Sequence, residues 1–133
     1  MREFHLQIAT PDGVIFDGMA ESLLIKCDEG DVEILAGHAD LFAPIAIGRA
    51  RIKADGKSRT ASVAGGFLTV SREGAEVVAT TFEYADEIDS ARAEKAKANA
   101  EEAMRNAQDD SELERAKLKL MRAINRIKVS ELK

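Results

Sequence analysis

Tyr84-Ala85-Asp86-Glu87-Ile88-Asp89-Ser90-Ala91-Arg92-Ala93 decides how this chain is read. Before it, apolar and polar residues alternate and Gly-containing turns recur. After it there is no Gly and no Pro, and Ala, Glu, Lys and Arg dominate. A strand period of two gives way here to a helical period. Asp89 is placed to accept from the free backbone N–H groups of a helix opening at Ser90, and Arg92 falls one turn inside it. The stretch reads as a helix cap at a domain junction. Its more pointed reading is a switch between a fixed β domain and a movable helical arm.

Working outward towards the N-terminus, Phe4, Leu6 and Ile8 alternate with polar residues and predict a half-buried strand. Thr10-Pro11-Asp12-Gly13 predicts a turn, because Pro presets φ and Gly supplies a positive one. Val14 to Phe16 predicts a short strand, Asp17-Gly18 another turn, and Ala20 to Lys26 the next strand. Val32 to Leu35 follows the acidic turn Asp28-Glu29-Gly30-Asp31. Asp55-Gly56 between two alternating runs is a strong hairpin signal, and Gly65-Gly66 allows a sharp bend. About eight to ten short antiparallel strands result, the pattern of an all-β sandwich over residues 1–84.

Working towards the C-terminus, Ala93, Ala96, Ala100, Ala103, Met104 and Ala107 form one helical stripe. Leu113, Ala116, Leu120, Ala123, Ile124 and Ile127 form a second with the same spacings. Ser111 with Glu114 predicts a capping box between them. Residues 85–133 are therefore expected to form an α-helical hairpin, with helices at about 90–106 and 112–128. Few large aliphatic side chains are available there, each worth only ~1.5–3 kcal/mol when fully buried, so the hairpin is expected to dock on something.

The net charge of −5 over 133 residues argues against nucleic-acid binding by the whole surface. Its distribution is uneven. Residues 86–114 carry 4 basic and 10 acidic side chains, and residues 115–133 carry 7 basic and 1 acidic. Arg115, Lys119, Arg122 and Arg126 are spaced to share one face of the second helix. They read as a solvated face or as a surface for an anionic partner. There is no apolar run long enough to span a membrane and no signal-peptide pattern. The single Cys27 leaves no disulfide framework and reads as a small buried side chain. Walker, nucleophile-elbow and zinc-ligand patterns are absent, so no catalytic residue, no metal site and no required cofactor is expected. His38 in its Gly-containing loop has no acid or thiol placed beside it by spacing and reads as a structural or contact residue. His5 reads as solvated.

Several segments in order resemble one family. They are Thr10-Pro11-Asp12-Gly13, Gly30-Asp31-Val32-Glu33-Ile34-Leu35-Ala36-Gly37-His38, Ala64-Gly65-Gly66-Phe67-Leu68-Thr69-Val70 and Arg122-Ala123-Ile124-Asn125-Arg126. Together they look like the epsilon subunit of bacterial rotary (F-type) ATP synthase, over nearly the whole chain. Glu33 stands where that family often has Gly, and Ala36 where Pro is usual. The resemblance implies a non-catalytic central-stalk component of a proton-translocating, membrane-bound complex, lying peripherally on the cytoplasmic side of the cell membrane without inserting. It implies a sandwich that contacts the gamma subunit and the ring of c subunits, with Glu29, Asp31 and His38 as contacts. It also implies a hairpin that regulates ATP hydrolysis and presents Arg115, Lys119, Arg122 and Arg126 to the alpha and beta subunits of the catalytic head.

Ile88-Asp89-Ser90-Ala91-Arg92-Ala93 matches the motif of members that bind ATP on the folded hairpin. ATP is thereby implied as a regulatory ligand held by Glu83, Ile88, Asp89, Arg92, Ala93, Arg122 and Arg126. A basic position that some of those members have in the first helix is Asn99 here. A free-standing sandwich with a helical adaptor arm, unconnected to a motor, is the alternative that the residues alone leave open.

Overall fold

Alternation of apolar residues along residues 4–84 has one physical outlet, which is to bury one side of each strand. A computed structural model, which describes residues 2–132, shows how this is done. Seven strands form: β1 (Phe4–Thr10), β2 (Gly13–Ala20), β3 (Ser22–Cys27), β4 (Gly30–Leu35), β5 (Leu41–Ala54), β6 (Lys57–Ser71) and β7 (Gly74–Tyr84). They lie in the order β2-β1-β7-β6-β5-β3-β4. All neighbours are antiparallel except β1 and β7, which run parallel through Leu6↔Ala75 to Ala9↔Val78. The sandwich encloses Leu6, Ile8, Leu23, Ile25, Ile34, Val63, Leu68 and Val77, all fully buried.

The strands are fewer and longer than the expected eight to ten. Asp17-Gly18 is not a turn; it continues β2 opposite Gln7 and Leu6. Likewise β5 and β6 run unbroken for 14 and 15 residues. Their ladder lapses between Pro44↔Phe67 and Gly48↔Val63, where the strands bend instead of ending. Gly66 makes that bend feasible: its φ is +104°, and a Cβ there would collide with the Val78 carbonyl oxygen. Pro44 lies beside the register shift between β3 and β5, in keeping with a proline at a bulge. The hairpin at Asp55-Gly56 forms as read, with φ of 54° and 73° at its two central residues, the positive pair a type I′ turn requires.

The chain divides into two compact units, Met1–Tyr84 and Ala85–Lys133. The second begins with a 3₁₀ turn, Ala85–Glu87, followed by α1 (Ser90–Arg105) and α2 (Asp110–Ser130). Asp89 is the N-cap of α1, its carboxylate accepting the Arg92 backbone N–H at 3.1 Å. The α2 cap lies earlier than Ser111. Asp109 accepts from the Glu112 N–H at 2.8 Å, and Glu112 accepts from the Gln108 N–H at 3.0 Å. This is a variant of the capping box moved back by two residues, with Glu112 reaching the N–H before the cap and not the cap's own. Its two carboxylates make charge-assisted bonds that a serine hydroxyl cannot match. Ala93 and Ala100 are buried on α1, and Ala116, Ala123 and Ser130 on α2, each set at seven-residue intervals. Ala103, assigned to the stripe, is exposed. Small residues at such intervals let two antiparallel helices approach closely.

Candidate functional surfaces

The open end of the hairpin is built by the return of α2 onto the start of α1. Val129, near the end of α2, packs on Ala85 and Ile88 in a small buried cluster. The Ile88 N–H donates to the Ala85 carbonyl, and the Ala93 N–H to the Asp89 carbonyl. Asp89 and Arg92 are exposed there, and Arg126 is half-buried one turn before the end of α2. Ile88 and Ala93 turn their side chains into the packed interior. A ligand at this end would therefore meet their backbone and the exposed Asp89 and Arg92. Arg122 lies one turn before Arg126 and is exposed, and Asn99 is exposed in mid-α1. Glu83 belongs to the other unit, in β7 opposite Ser62.

The outer side of α2 carries Arg115, Lys119 and Arg122, all exposed, with exposed Leu118 and Met121 between them. Lys117 pairs locally with Glu114 at 3.6 Å. Guanidinium groups beside exposed apolar side chains suit a protein surface bearing carboxylates, since Arg matches a carboxylate in bidentate geometry.

On the sandwich, β4 separates the acidic turn from the His38 loop. Glu29 and Asp31 are exposed at its start, and His38 follows its end. Six strand residues put roughly 20 Å between them, so they are two contact points and not one patch. The His38 Nδ1–H donates to the Ala39 carbonyl at 2.6 Å. His38 also lines an open cleft of about 580 Å³ with Arg2, Arg72, Asp40 and Glu73. His5, read as solvated, bonds to the Asp17 carboxylate at 2.6 Å across β1 and β2. Cys27 is buried, and burial, followed by the nearby Asp28 and Asp31 charges, pushes its thiol up from its ordinary value. That favours the protonated, unreactive form.

One surface escaped the sequence reading. Val14 lies opposite Ala9, Ala9 opposite Val78, and Val78 opposite Phe67, so the ladder crosses β2, β1, β7 and β6 in one line. Phe42 on β5 closes the line by stacking on Phe67. Phe42 is 64% exposed, Val14 59%, Phe67 49% and Val78 48%. A contiguous exposed apolar row on a sheet marks an interaction site. The signal was present in the alternation, since Leu68 and Val70 point inward and Phe67 between Gly66 and Leu68 must then point out.

Among the described residues, no cluster of three His, Cys, Asp or Glu side chains is placed to hold a metal, and no helix is long and apolar enough to cross a membrane. A sandwich with an exposed apolar row, joined to a hairpin with an exposed cationic face, defines a class of protein that works through contacts with other subunits. Residues 3–85 match the family described as "ATP synthase, Delta/Epsilon chain, beta-sandwich domain", and residues 86–131 match its long alpha-helix domain. The chain belongs to the ATP synthase delta/epsilon chain family and is thereby a non-catalytic subunit of an ATP synthase.

Among relatives, the ATP synthase epsilon chain of Bacillus velezensis is 39% identical over 130 residues, covering 98% of each chain. Among solved structures, a chain of the Euglena gracilis mitochondrial ATP synthase superposes with a TM-score of 0.82 at 21% identity, over 98% of this chain and 82% of that one. A chain in the central stalk and c ring of the Tetrahymena thermophila mitochondrial ATP synthase gives a TM-score of 0.69 at 17% identity, over 97% of both chains. These two likenesses concern the fold.

Proposed function

We propose that this chain is a rotor component of the central stalk and an intrinsic inhibitor of ATP hydrolysis. In this reading it lies peripherally on the cytoplasmic side of the cell membrane, in a proton-translocating complex. The sandwich docks on the gamma subunit and the c ring. The observation that carries this reading is the exposed row Val14, Val78, Phe67 and Phe42, an apolar surface of the kind that a subunit buries against a partner. Glu29, Asp31 and His38 supply polar contacts at either end of β4.

The hairpin is the regulatory arm. Extended, it presents Arg115, Lys119, Arg122 and Arg126 to acidic surfaces of the alpha and beta subunits and blocks rotation. Folded, it permits hydrolysis. ATP shifts the balance only through a difference in its affinity for the two states. Its supporting observation is that Asp89, Arg92 and Arg126 lie at the same open end of the hairpin.

The test is reconstitution. Cysteines replacing Glu29 and His38 are introduced one at a time, and the chain is added to an ATP synthase stripped of this subunit. Crosslinks to gamma and to the c ring, with a lowered rate of ATP hydrolysis, are expected. Incorporation with no crosslink from either position, or with an unchanged rate, refutes the reading.

A further inference from the structure

The last residue of the sandwich is held unusually well. The Arg59 guanidinium carbon lies 3.6 Å from the centroid of the Tyr84 ring. Phe82 meets the same ring edge to face, with centroids 5.5 Å apart. Tyr84 is only 7% exposed, although its strand ends there and the next residue already belongs to the second unit.

The need for such a grip follows from the ladder. β7 is paired on both sides only where β1 runs alongside it, at Ala75 to Val78. Beyond that point, among the described residues, β7 is paired by β6 alone, ending at Glu83↔Ser62 and Tyr84↔Ala61. A strand end held on one side frays readily. Each residue released would add ~3.4 Å to the segment joining sandwich and hairpin. Releasing the six residues from Ala79 to Tyr84, five of them paired with β6, would lengthen it by roughly 20 Å.

We propose that Arg59 and Tyr84 form a clasp that fixes the length of the tether between sandwich and hairpin, and so limits the reach of the arm. This rests on the reading of the hairpin as a mobile regulatory arm. Arg59 comes from β6, two residues into the strand that follows the Asp55-Gly56 turn. It therefore grips from the strand against which β7 would otherwise unzip. The interaction needs a cation over the ring face, so Lys can replace Arg59 in part and Gln cannot.

The test uses the full chain with Arg59→Gln and Arg59→Lys. Backbone hydrogen exchange at residues 79–84 should accelerate about threefold to fivefold in Arg59→Gln, and less in Arg59→Lys, with β1 and β3 unchanged. Chymotrypsin cleavage after Tyr84, the single tyrosine, should accelerate in the same order. In the assembled complex, Arg59→Gln should change the rate of ATP hydrolysis by at least about twofold, in the same order again. Equal exchange and cleavage in wild type and Arg59→Gln overturns the proposal. So does faster exchange with unchanged hydrolysis, if neutralising the basic face of α2 still relieves inhibition; the arm reading then stands. Failure of the neutralised face to relieve inhibition brings down both. A global loss of structure in Arg59→Gln that Arg59→Lys does not share counts against the clasp as a local device.

Discussion

The rings of Phe42 and Phe67 stack in the open, with centroids 5.2 Å apart and planes 21° from parallel. They come from different strands, β5 and β6, and are not directly opposite each other: Phe42 faces Thr69, and Phe67 faces Pro44. An aromatic pair left in water gains little for folding and offers a preformed apolar contact to a partner.

Phe42→Ala and Phe67→Glu should therefore leave the fold almost intact, within about 0.5 kcal/mol, because neither side chain is part of the core. Binding should suffer far more. Phe67→Glu places a charge in the middle of the row and should weaken reassociation with the stripped ATP synthase by at least about tenfold, or ~1.4 kcal/mol. Denaturant melts of the free chain and binding titrations of the complex separate the two effects. Equal losses in both would make the row structural.

Gly66 should tolerate no side chain. Gly66→Ala combines a φ of +104° with a clash against the Val78 carbonyl, and should cost about 2–4 kcal/mol. Gly56→Ala at the exposed hairpin turn meets nothing within 4 Å, so only its backbone strain of about 1 kcal/mol should appear. Urea unfolding of the two variants checks the order, which must have Gly66→Ala the less stable.

Changing Arg115, Lys119, Arg122 and Arg126 together to Ala should raise ATP hydrolysis by the assembled complex. The wild-type inhibition should also fade with added salt, since attraction between exposed charges is screened over ~10 Å at 0.1 M. Hydrolysis assays across a salt series on complexes with equal subunit content decide this. A variant that is fully incorporated and as slow as wild type leaves α2 with a merely solvated face.

ATP should raise the melting temperature of the isolated chain. At a hundredfold excess over its dissociation constant the expected stabilisation is ~2.7 kcal/mol. Arg126→Ala and Arg122→Ala should weaken the effect more than Arg115→Ala, which lies two to three turns farther from the open end. Calorimetric titration and thermal melts at millimolar ATP measure it. With no heat and no shift, Ile88 to Ala93 is a capped helix start alone.

The sequence by itself determined the switch at Tyr84 to Ala93, the β character before it and the paired helical stripes after it. Local propensity and period act within a few residues, and Asp89 caps α1 through a contact only three residues long. The hairpin at Asp55-Gly56 was legible for the same reason. What happens at Asp17-Gly18 was not: a glycine that permits a turn also permits a continuing strand, and only the neighbouring strand decides which. β1 against β7, Phe42 on Phe67, Ile88 on Val129 and Arg59 over Tyr84 join residues 25 to about 70 positions apart. Such contacts depend on which strands and helices become neighbours, and that is settled by burying the whole core at once, a condition no short stretch of sequence carries.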